Sequence, residues 1–244
     1  MVVVHHASSV AGPGVSPLVA VPAGVLDGGV AVFFVLSGFL IYRPFAESRA
    51  AGNAGPSVRS YAIRRLARLI PAYWLALSVL WAAGAFRLGS DWWRYYLLLQ
   101  PYSRETALGG LVPAWSLSAE LAFYAFVPVW ARVLRAVAPG TKLRAELTGC
   151  AALYGAAFAF RAIVSATNPT WRGLSFQWLP ANIDLFAIGM AVAAIAVRMP
   201  LHGWATTRLW RLASNAGLLW TMALALIGWY FLRVGAPDLS QLGD

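Results

Sequence analysis

Charge is scarce in this chain, and acid is scarcer still. Of 244 residues only 11% are charged, with nine Asp or Glu against nineteen Lys or Arg. Soluble domains carry about 25% charged residues, so a chain that is also 60% hydrophobic is excluded from the ordinary globular class. Cysteine is nearly missing. Cys150 stands alone in an apolar run, which excludes a disulfide framework, a CxxC redox pair and a thiolate metal cluster. The three histidines, His5, His6 and His202, are too few and too scattered for a self-sufficient metal site, and no metal is expected. The opening MVVVHHASS has neither a basic stretch nor an apolar run of useful length, so it is not a signal peptide. The net charge of +10 could suggest nucleic acid, but the cations fall between apolar runs rather than on one water-exposed patch. No nucleic-acid partner is expected, and the bilayer is.

What the chain does have is a series of long apolar runs. Residues 28–45, GGVAVFFVLSGFLIYRPF, carry no charge until Arg43. At ~1.5 Å per helical residue they cross most of a ~30 Å hydrocarbon core. Gly29, Phe33, Ser37 and Ile41 recur every four residues, which puts two small residues on one face and predicts the close approach of a second helix there. Further spans are expected at 69–86, 114–134, 147–166, 181–197 and 212–232. Residues 2–4 leading into His5 and His6 read as the end of a helix whose beginning is absent. The expected fold class is all-α: a polytopic transmembrane helical bundle of about six full spans plus a partial N-terminal helix. It forms a single domain over 1–244, with a short non-membrane tail at 235–244.

The cations alternate by connection. Six lie in residues 43–68, four in 132–144 and three in 198–211, together thirteen of the nineteen. The positive-inside rule assigns those connections to the cytoplasm and 7–27, 87–113 and 167–180 to the outside. Trp92, Trp93, Tyr95, Tyr96 and Tyr102 suit headgroup depth in the middle one of these outer segments.

Polar side chains inside lipid are costly, so each is a functional candidate until a structural reading absorbs it. His5 and His6 are adjacent, and neighbouring helical residues point ~100° apart, so they cannot chelate one metal and only one can face a bundle interior. A neutral imidazole beside a hydroxyl suits a general base; the structural alternative is two interfacial histidines bonded to water. In PAWSLSAELAFY, residues 113–124, the side chains of Ser116, Glu120 and Tyr124 share a helical face, with Trp115 at its start. A carboxylate there must be paired or solvated in a cavity. It either binds an acceptor or supports the histidine, or it forms an interhelical ion pair. In YAIRRLARLIPAYW, residues 61–74, Arg64 and Arg68 share a face and Arg65 is offset. Guanidinium forks at a membrane surface suit phosphates, whether of lipid headgroups or of a nucleotide-bearing donor. Asn182 and Asp184 open the helix expected at 181–197, where either serves as an N-cap.

Four blocks then occur in order: GVAVFFVLSGF at 29–39, RLARLIPAYW at 65–74, WSLSAELAFY at 115–124 and LPANIDLFAIGMA at 179–191. The chain resembles, over about residues 1–200, the acyltransferase family 3 integral membrane proteins. These are bacterial O-acyltransferases of surface polysaccharides, peptidoglycan, antibiotics and other hydroxylated acceptors. The resemblance implies a multi-pass enzyme of the bacterial inner membrane. It would move an acyl group, acetyl in the first instance, from acyl-CoA as co-substrate to a hydroxyl of a carbohydrate or other acceptor, with no permanently bound cofactor. His6, followed by Ala7, matches the family's essential histidine, and His5 stands where the family is apolar or aromatic. Arg65, Arg68 and Pro71 match the arginine-rich block, Glu120 matches the acid of the WSL block, and Ala31 stands where many members have Asp. The implied site has His6 and Glu120 as catalytic residues. Arg64, Arg65, Arg68, Ser37, Trp115, Ser116, Tyr124 and Asp184 would bind donor or acceptor. The family's arginine ahead of the histidine and its later helices have no counterpart, so a chain incomplete at both ends is expected. Two alternatives stand beside this reading: a non-catalytic polytopic protein, permease-like or scaffold, and a truncated, inactive acyltransferase relative.

Overall fold

The computed structural model describes residues 28–107 and 109–199. His5, His6 and the span expected at 212–232 lie outside the described residues. Every regular element among those described is helical: α1 Gly28–Ala50, α2 Val58–Ala82, α3 Trp92–Tyr96, α4 Trp115–Val137, α5 Leu143–Thr167, α6 Arg172–Ser175 and α7 Leu179–Arg198. Short 3-10 turns at Gln100–Tyr102, Val112–Ala114 and Pro169–Trp171 join them. The all-α membrane bundle expected from the apolar runs is the architecture observed. Among the described residues, four helical stretches are long and apolar enough to cross a bilayer: Gly29–Ala50, Trp115–Val137, Leu143–Thr167 and Arg172–Arg198.

The span expected at 69–86 takes a different form. Its helix, α2, begins at Val58 and carries Arg59, Arg64, Arg65 and Arg68 within it. The buried residues Tyr61, Leu69, Tyr73 and Leu77 fall at multiples of four, so one stripe of α2 faces protein; Arg65 lies on that stripe and is half-buried, whereas Arg59, Arg64 and Arg68 are exposed. Only residues 69–82 are free of charge, a length of ~21 Å at ~1.5 Å per residue, which is short of the ~30 Å hydrocarbon core. The helix stops just before Gly84, whose φ of +76° is a left-handed conformation that glycine adopts without strain.

Residues Val32–Arg198 form one compact unit. Its centre is aromatic: Phe34 of α1 stacks on Phe186 of α7 at 4.6 Å between ring centroids, and Phe186 on Phe123 of α4 at 4.1 Å. Along α1, Phe34, Ser37, Ile41, Tyr42, Phe45 and Arg49 are buried at helical spacing. Val32, Leu36 and Leu40 form a stripe on the same helix that is 49–59% exposed. An apolar stripe of that kind has a natural solvent in lipid.

The small-residue contact of α1 is real, but it rests on a different residue from those expected. Gly38, rather than the Gly29 and Ser37 pair, lets α7 approach. A Cβ on Gly38 would lie 2.2 Å from the carbonyl oxygen of Phe186, and one on Gly189 would lie 2.0 Å from that of Val35. Backbone meets backbone at both positions, so no side chain can turn aside. Gly189→Ala is therefore expected to lower the melting temperature in detergent by several degrees, the overpacking cost being ~1–3 kcal/mol or more. An unchanged melting temperature would contradict the crossing described.

Candidate functional site

Two prolines set up the geometry around the WSL block. Proline has no N–H, so Pro44 in α1 leaves the carbonyl of Leu40 without its helical donor, and Pro128 in α4 does the same to Tyr124. Both carbonyls are answered from α2. The Arg65 guanidinium donates to the Leu40 carbonyl at 3.1 Å, and the Tyr61 hydroxyl donates to the Tyr124 carbonyl at 3.2 Å. Helix α2 is thereby fastened to α1 and α4 at the same depth.

Beside these contacts lies Glu120, buried at 8% exposure. Its Oε1 accepts from the Ser37 hydroxyl at 3.1 Å and from the Tyr124 hydroxyl at 2.9 Å. Trp115, at the start of α4, meets Phe34 edge-on at 5.9 Å, closing the aromatic core over the adjoining stretch of α1. Ser37, Glu120, Tyr124 and Arg65 thus come together from three helices.

Other predicted residues go elsewhere. Ser116 shares the Glu120 face by spacing, yet its hydroxyl donates to the Pro113 carbonyl at 3.0 Å, closing the first turn of α4. Arg64 donates to the hydroxyl of Ser60 on its own helix and is exposed, so it does not join Arg65 at α1. Asp184 lies inside α7 rather than at its start, and its Oδ2 accepts from Arg161 of α5 at 2.8 Å. Asn182 donates its amide to the carbonyls of Phe176 and Trp178, tying α7 back to the preceding turn. Neither residue is an N-cap.

The buried network the sequence did not reveal centres on Glu146. This carboxylate is fully buried and receives Arg198 Nη2 at 2.6 Å, Arg49 Nε at 3.3 Å and the Tyr42 hydroxyl at 3.3 Å. Arg198 also donates to the carbonyl of Thr141 at 2.9 Å. The network gathers one arginine from each of the first and third cation-rich connections onto an acid of α5, with a backbone carbonyl of the second. Spacing could not have found it, because the side chains that reach Glu146 come from 52 to 104 positions away. The available signal was scarcity: nine acids in 244 residues make each one near an apolar run a candidate anchor.

At the loop between α2 and α4, the Ser103 hydroxyl donates to Glu105 and holds its carboxyl below the usual carboxylate range. Burial pushes the phenol of Tyr95 upward, with the charge of Asp91 adding to it. Among the described residues no group of three His, Cys, Asp or Glu side chains is placed to hold a metal ion.

Comparison with known proteins decides the family. The model of acyltransferase family 3, described as an acyltransferase domain, matches residues 1–242. The chain belongs to this acyltransferase family. It is also similar to Nodulation protein 10 of Rhizobium leguminosarum bv. viciae, with 23% identity over 236 residues, covering 86% of this chain and 59% of that protein. The chain therefore spans about three fifths of the length of that curated relative. No solved structure matches. Among the described residues of this acyltransferase-family chain, the three buried acids differ in kind. Glu146 is shared by two arginines and Asp184 is paired with one, whereas Glu120 is hydrogen-bonded only by hydroxyls among the described residues.

Proposed function

We propose that the protein is a multi-pass O-acyltransferase of the bacterial inner membrane. It transfers an acyl group, acetyl in the first instance, from acyl-CoA to a hydroxyl of a carbohydrate or other cell-surface or secondary-metabolite acceptor. The observation that carries this reading is Glu120. Among the described residues this carboxylate inside a membrane helix has no ion-pair partner, an expensive placement expected where an acid serves a reaction rather than the fold. Family membership supports the reaction class.

In the proposed reaction, the His6 imidazole takes the proton of the acceptor hydroxyl as its oxygen attacks the thioester carbonyl. The carbonyl carbon becomes tetrahedral, the C–S bond breaks, and the proton passes to the departing thiolate, giving an ester and free coenzyme A. Glu120, held by Ser37 and Tyr124, orients the acceptor or the imidazole. Arg65 and Arg68, with Arg64, attract the donor's phosphates at the cation-rich face. Trp115 and Ser116 frame the acceptor side. Asp184, paired with Arg161, acts on binding only through that pair.

The test is acceptor-dependent release of coenzyme A by His6→Ala in membranes. Loss of a general base predicts a fall of ~10²–10⁴-fold with unchanged membrane expression. Retained release would remove His6 from the role.

A further inference from the structure

At the end of the bundle where α1, α4 and α5 meet their cation-rich connections there is a cleft of ≈ 290 Å³. Arg49, Asn53, Arg135 and Thr141 line it, with Gly52 and Gly140 at its turns. Those two glycines have φ of +71° and +102°, and nothing lies within 4 Å of where a Cβ would stand on either, so the turns leave the cleft open. Its chemistry is unbalanced. Arg49 is 95% buried, at 5% exposure, and its Nε and Nη1 have no hydrogen-bond partner, although Nε faces Glu146 at 3.3 Å as an ion pair. Arg135 Nη2 is likewise buried without a partner. Glu146, the acid in contact with this group, is already shared with Arg198. Three guanidiniums therefore stand against one carboxylate, an excess of two positive charges among the described residues.

Buried guanidinium N–H groups left unmatched are costly, and such forks are shaped for oxyanions with several acceptor oxygens. We propose that this cleft is a phosphoryl-binding site, in which Arg49 and Arg135 hold the anionic oxygens of a phosphoryl group. Ligand pockets for whole drug-sized molecules run from ~300 Å³ upward, so a cleft of ≈ 290 Å³ suits a diphosphate or one headgroup rather than an entire coenzyme. The phosphoryl group comes either from a soluble phosphate or from a phospholipid headgroup. The inference stands apart from the acyl-transfer reading: it uses neither His6 nor Glu120, and loss of either leaves the cleft as it is.

The experiment compares wild type with Arg135→Gln in nanodiscs. In discs of phosphatidylcholine alone, inorganic pyrophosphate is titrated by intrinsic tryptophan fluorescence. In discs that also contain phosphatidylglycerol, the phosphatidylglycerol retained by the purified protein is counted by mass spectrometry. A soluble ligand predicts saturable pyrophosphate binding by wild type that weakens ~10-fold or more in Arg135→Gln, as expected for a lost charge-assisted hydrogen bond. A lipid ligand predicts retained phosphatidylglycerol that the variant loses. Arg135 is half-buried, so Asn53→Asp, which adds a negative charge at the exposed rim, serves as a second variant and must weaken binding in the same arm. No binding by wild type in either arm, or equal binding by wild type and the variants, overturns the proposal. Pyrophosphate held by the arginines of α2 would give that second outcome.

Discussion

Glu146→Ala is expected to remove most of the folded protein. The substitution leaves Arg49 and Arg198, at 5% and 4% exposure, buried without the carboxylate they share, and it strips the Tyr42 hydroxyl of its acceptor. Breaking a buried ion pair by deleting one partner costs ~3–5 kcal/mol, a large part of the ~5–15 kcal/mol that stabilises a typical domain. The readout is the melting temperature and the fraction of detergent-solubilised protein in a monodisperse peak. Replacing all three members by apolar residues of similar size, Arg49→Met, Glu146→Leu and Arg198→Met, should restore much of the loss, because the stranded charges are gone. If Glu146→Ala melts like wild type, the triad does not hold these helices together.

Glu120→Gln is expected to do the opposite: keep the fold and lose the reaction. The amide oxygen of glutamine accepts hydrogen bonds as the carboxylate does, so the Ser37 and Tyr124 hydroxyls keep their acceptor. No salt bridge is broken, because none reaches this acid among the described residues. What disappears is the negative charge and the ability to take a proton. If Glu120 orients or tunes the reacting groups, turnover per folded molecule falls by ~10²–10⁴-fold. Ser37→Ala and Tyr124→Phe each leave one hydroxyl on the carboxylate and should cause smaller losses. A structural acid would give the reverse pattern, with less folded protein and normal turnover in what remains. Glu120 and Glu146 are therefore a matched pair, two buried acids whose removal should separate function from stability.

The parts of this architecture legible in the sequence were those written in short periods. The α1 run of residues without charge, the apolar stretches that became α4, α5 and α7, and the pairing of Glu120 with Tyr124 one helical turn later all follow from spacings of four or from length. By charge alone the four arginines of α2 suit a connection at the membrane surface. They belong instead to a helix with one buried stripe, on which Arg65 lies while Arg59, Arg64 and Arg68 are exposed, and a longer window on the spacing of Tyr61, Leu69, Tyr73 and Leu77 carries that signal. Pairings between distant segments were not legible. The prolines at 44 and 128 announce two carbonyls without helical donors, but nothing local says that Arg65 and Tyr61 answer them. The same holds for Arg161 with Asp184, and for Gly38 against Gly189, where it is the tertiary crossing that selects which small residue matters.

The most direct test of Glu120 as a functional rather than a structural acid is one assay on membranes containing the chain: acceptor-dependent release of coenzyme A from acetyl-CoA, normalised to folded protein, for wild type and Glu120→Gln. The expected result is equal folded protein with release reduced to the acceptor-independent background in the variant. Wild-type release per folded molecule from Glu120→Gln would contradict the account.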